Sequence, residues 1–144
     1  MPLHSVLFVT QQEKVVLQKF YGARETSSYL AQAQWVQTLR ELTHARWAQA
    51  CQPGGEQVAV SGATTVVYTG AGGGDKLLLF LAGSDEYDEL TLLEVVRAIL
   101  EALRSAFGGA QGKVEQITEA TMIEHYHTAC LVLDEMINDG VLEQ

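Results

Sequence analysis

The apolar positions of the chain fall into two periods, and the changes between them mark the elements. HSVLFVT (4–10) is dense in β-branched and aromatic residues and predicts a buried strand. The polar turn QQEK follows, then VVLQKFYG (15–22), so these two runs predict a hairpin. From Ser27 to Gln52 there is no Gly or Pro, and Leu30, Trp35, Leu39, Leu42, Arg46 and Ala50 fall near a helical repeat. That spacing predicts one helix of about six turns, capped by Ser27 or Ser28 and stopped by PGG (53–55).

Three short strand-like runs come next: EQVAVS (56–61), TTVVYT (64–69) and KLLLFLA (76–82), separated by Gly62 and by GAGGGD (70–75). Such tight punctuation predicts sequential antiparallel strands. Leu90, Leu93, Val96 or Arg97, Leu100, Leu103 and Phe107 then predict a helix from about Glu86 to Phe107. After the loop GGAQG, a last helix is expected from Glu115 to Asn138, with Tyr126, Cys130, Leu133 and Ile137 on one stripe and VLEQ as a tail. The order β-β-α-β-β-β-α-α is that of an α+β fold. One five-stranded antiparallel sheet with helices packed on it makes a single domain over residues 1–144.

Charge is unevenly distributed. Net charge is −9, yet residues 1–83 hold six Lys/Arg and five Asp/Glu, whereas residues 84–144 hold three and thirteen. Phosphate neutralisation needs clustered cations, so a nucleic-acid partner is not expected. The acidic half is a solvated face or a surface matched to a basic partner. With no basic lead-in before PLHSVLFV, no bilayer-length apolar run and two cysteines, the chain reads as a reduced, soluble, intracellular protein.

The candidate chemistry is thin. Four acids crowd Asp85, Glu86, Asp88 and Glu89 just ahead of the apolar stripe. Acids there complement the positive end of the helix dipole, and Ser84 or Asp85 can cap the first turn. A calcium loop would need alternating oxygens, a central glycine and a closing glutamate. TGAGGGDKL lacks the glycine before its lysine and the Ser/Thr after it, so it does not read as a phosphate loop. His125 and His127 point about 200° apart on a helix, and His127 with Cys130 supplies only two ligands. No catalytic residue, metal, cofactor or small-molecule substrate is expected. The protein works by being bound.

Several stretches in order resemble the small subunits of heterotetrameric vesicle coats, a family that includes clathrin-adaptor sigma chains, the coatomer zeta chain and the TSET small chain. SVLFVTQQEKVVLQKFYG is similar to the opening hairpin and TTVVYT to the fourth strand. GSDEYDELTLLEVVRAILEAL resembles the start of the second helix, and CLVLDEMINDGVLEQ, with Asp134, Glu135 and Gly140, the closing helix. The resemblance implies a longin-like, SNARE-like fold and a non-catalytic subunit. Its partner would be the amino-terminal helical solenoid of a large subunit, with further coat subunits and indirect membrane association. Where sigma chains read dileucine signals, the leucine pocket would fall near Leu77 and Leu100, and a basic residue near Val16. Val16 is uncharged, which leans the assignment to the zeta or TSET chains. The acidic start of the second helix (Asp85, Glu86, Asp88, Glu89) and the closing helix (Asp134, Glu135) are the candidate docking faces. A sigma chain or a stand-alone longin regulatory domain of a tethering complex is the alternative.

Overall fold

The computed structural model describes residues 3–21, 28–72, 77–84, 87–138 and 141–142. Strands β1 (Leu3–Thr10), β2 (Val15–Phe20), β3 (Gln57–Ser61), β4 (Thr64–Gly70) and β5 (Leu77–Gly83) form one antiparallel sheet in the order β2-β1-β5-β4-β3. The fold is α+β, as the sequence pattern predicted, and longin-like, as the resemblance implied. The two central strands are the most continuously apolar in sequence, LHSVLFVT and LLLFLAG, because both of their faces are covered.

Alternation along the strands sorts the core into two layers. Val6 and Phe8 of β1, Val67 of β4, and Leu77, Leu79 and Leu81 of β5 face α3 (Glu89–Gly108) and α5 (Tyr126–Met136). Leu7 and Val9, Val66 and Tyr68, and Leu78 and Phe80 face α1 (Tyr29–Thr43) and the short α2 (Trp47–Ala50). At Gly70 the end of α2 comes so close that a Cβ would sit 2.8 Å from Cys51 Cα, so no other residue fits there.

The helices depart from their expected bounds. The first is not continuous over 27–52. Ser28 caps it, accepting from the Ala31 N–H at 3.0 Å, while Ser27 lies outside the described residues. A 3-10 turn at His44–Arg46 then separates it from α2. Thr43 causes the break: its hydroxyl donates back to the Leu39 carbonyl at 2.6 Å and accepts from Trp47 Nε1 at 2.8 Å, which tightens the turn and swings Trp47 onto the sheet. Leu30 and Leu42, expected on the buried stripe, are exposed.

The second expected helix begins at Glu89 and not at Glu86, because Asp88 is its cap in place of Ser84 or Asp85. Its buried residues are Leu92, Val95, Val96, Ile99, Leu100, Leu103 and Phe107, so the expected Val96, Leu100, Leu103 and Phe107 do face the core. Leu90 is 71% exposed and Leu93 only partly buried, because in the first turns Leu92 and Val95 face the sheet instead.

The last helix does not begin at Glu115. Thr118 and Thr121 form a reciprocal cap that starts α4 (Glu119–Glu124), and the chain breaks at His125 before α5 resumes. Its buried positions are Met122, Ala129 and Leu133, with Tyr126 and Cys130 off to the side. It stops at Met136. Ile137–Asn138 (β6) pairs with Val141–Leu142 (β7) where a helix end and a tail were expected.

Candidate interaction surface

Strand β2 is the outer margin of the sheet, and its start is irregular. Val9 of β1 pairs with Val15, while Phe8 pairs with Leu17, so Val16 is the extra residue of a bulge. Val16 packs partly against the α3 layer. It also borders a groove of about 460 Å³ that runs along Val15–Gln18, with α1 on one side and Tyr126 of α5 on the other. Tyr29, at the groove's α1 wall, is 85% exposed.

The other two positions named for a leucine pocket do not reach this groove. Leu77 is fully buried and Leu100 is 7% exposed. Both lie in the α3 layer, against which Val16 packs, and neither is among the residues that line the groove.

The acids divide between local structure and surface. Asp88 accepts from the Thr91 N–H at 2.9 Å, and that hydrogen bond holds its carboxyl below the usual carboxylate range. Glu89 follows it, exposed, in the first turn; Asp85 and Glu86 lie outside the described residues. Asp134 reaches Lys19 of β2 at 3.2 Å, tying α5 to the sheet margin, and Glu135 beside it is exposed. The sequence-predicted docking faces are therefore a helix cap with one free acid, and a helix flank half committed to an internal ion pair.

Each described lysine and arginine except Arg46 lies within ion-pair reach of a carboxylate. Lys14 meets Glu119, Arg40 meets Glu13, Arg97 meets Glu56, and Arg104 and Lys113 converge on Glu101. Arg46 donates to the Gln57 side chain at 3.4 Å. Hence the described surface gathers no free cations to grip a phosphate backbone or an anionic headgroup. The histidine–cysteine group disperses as well. His125 stacks on Phe107 at 5.0 Å between ring centres, His127 is exposed, and Cys130 is half-buried beside Tyr126, whose hydroxyl is pushed up by burial and by that thiol. Among the described residues no three His, Cys, Asp or Glu side chains could hold a metal ion.

The clathrin adaptor complex small chain family matches residues 2–144. The chain belongs to that family. This adaptor small chain is also similar to TSET complex member tstD of Dictyostelium discoideum, 30% identical over 142 residues, which cover 99% of this chain and 84% of that one. Small adaptor subunits are a non-catalytic kind of protein. No helix among the described residues is long and apolar enough to cross a membrane. What the sequence reading missed is the groove. Its walls come from three separated segments, and only the exposed aromatic at Tyr29, a poor fit to the buried stripe of its helix, hinted at it.

Proposed function

We propose that this chain is the small subunit of a TSET-type heterotetrameric coat complex, that it docks on the amino-terminal solenoid of a large subunit, and that it supports coat assembly in membrane trafficking. The observation that carries this reading is the end-to-end similarity to a TSET complex member. It is supported by outward apolar side chains on several elements, including Leu30, Leu90 and Leu131, which a wide protein contact would cover. The protein then acts in the cytoplasm, peripheral to coated membranes of the Golgi or plasma membrane. A sigma-type role in reading dileucine cargo is less well supported, because Val16 carries no charge and Leu77 and Leu100 lie in the core.

Affinity purification of the tagged full chain from its own cells tests the proposal. A large solenoid chain should be recovered in stoichiometric amount, together with medium and second large chains. Recovery of the chain alone, or only with a tethering or SNARE complex, overturns it.

A further inference from the structure

We infer that the groove along β2 receives an extended, uncharged peptide segment of a partner protein, which joins the sheet as a sixth strand. The topology supplies the first reason. With β2 at the end of the strand order, its outer row of backbone groups has no neighbouring strand among the described residues. The phase of that row follows from Tyr21, whose N–H donates inward to the His4 carbonyl at 3.0 Å. By strand alternation Lys19 and Leu17 also face β1, and Gln18 turns its N–H and C=O outward at the groove floor.

The second reason is charge. No residue lining the groove is charged. The lysines that flank it, Lys14 and Lys19, are already matched by Glu119 at 2.9 Å and Asp134 at 3.2 Å. A charged segment would lose water there and meet no counter-ion, so the groove selects a neutral one. The third reason is shape. The floor lies between α1 and Tyr126, and a single extended chain fits between such walls. A helix has no backbone groups left to offer the strand. A second copy of this chain carries the same walls and cannot bring its own β2 to the floor. The opposite margin, β3, presents Val58 and Val60 outward and takes no part in this groove.

The test uses the full chain, alone or in whatever complex it co-purifies with, and a blocked peptide of about seven alternating valines and threonines, long enough to span the strand. Two analogues accompany it: one N-methylated at alternate backbone amides, the other carrying glutamate in place of its valines. The valine–threonine peptide should bind and slow hydrogen exchange at the Gln18 amide by about tenfold or more. The N-methylated peptide should lose both effects, and the glutamate peptide should bind about tenfold more weakly or worse. Gln18→Pro removes the outward N–H without touching the β1 ladder and should abolish binding. Ala33→Trp fills the groove from an exposed helix position and serves if the proline variant fails to fold. Equal binding of the N-methylated peptide, equal binding of the glutamate peptide, or unchanged exchange at Gln18 overturns the proposal. So does a peptide-free dimer by sedimentation that Ala33→Trp dissociates. The outcome does not depend on which large subunit is recovered, so the two readings fail separately.

Discussion

The two faces of the sheet hold their helices by different means. On the α3 and α5 side the contact is almost wholly hydrocarbon: Val6, Phe8, Leu79 and Leu81 against Val96, Ile99, Leu103 and Leu133. On the α1 side the helix is rich in glutamine and offers few apolar side chains to the sheet, and directional contacts do the fixing. Trp47 is hydrogen-bonded to Thr43 and edge-on to Phe80 at 6.0 Å; Trp35 donates to the buried Ser5 hydroxyl at 3.0 Å and lies tilted against the His4 ring at 4.6 Å. One layer is secured by area and is tolerant of direction. The other is pinned at a few atoms. A helix that must keep much of its surface polar can still be held rigidly, provided its few anchors are aromatic and hydrogen-bonded.

The difference predicts a graded response to substitution. Leu103→Ala, in the hydrocarbon layer, should cost about 3–4 kcal/mol in urea unfolding, because a fully buried leucine leaves a cavity there. Trp47→Phe, in the pinned layer, should cost about 1–2 kcal/mol, since the Thr43 hydroxyl still donates to Leu39 when the indole is gone. A loss from Trp47→Phe as large as that from Leu103→Ala would erase the contrast.

Acid sensitivity should belong to the pinned layer as well. Burial holds the His4 imidazole below its ordinary 6.5. The unfolded chain therefore takes up the proton first, and stability is complete above 6.5 and lost as pH falls from there toward the lowered value. His4→Phe should flatten that part of a Tm-against-pH profile, whereas Leu103→Ala should lower the whole profile without changing its shape. The smallest effect should come from Arg97→Ala, within about 0.5 kcal/mol, because its pair with Glu56 lies at the surface.

How far the sequence could be read depended on the range of each signal. Local patterns were legible: the QQEK turn, the glycine at position 62 and the acids ahead of the second helix each act on neighbouring residues. The strands, their sequential pairing and the existence of the helices followed from these. The break after Thr43 was not legible, because it depends on an indole four residues on, drawn to Phe80 across the layer. Nor was the start of the buried stripe of α3, where leucines at 90 and 93 mimic the spacing of those that pack; from Val96 on, Leu100, Leu103 and Phe107 are buried as expected. The groove at Val15–Gln18 was hidden for a related reason. Its walls, Tyr29 through Val36 and Tyr126, meet β2 only once both layers have closed.

The bulge at Val16 has one more effect. From Leu17 onward, odd-numbered residues of β2 point to the α3 side, yet Val15 points to the α1 side. The strand thus changes allegiance within a single peptide unit, and the run Val15-Val16-Leu17 feeds both halves of the interior, which the sheet otherwise insulates from each other. Losing or gaining one residue at that spot would send a valine into the wrong compartment, so the chain's tolerance for length variation should be lowest there.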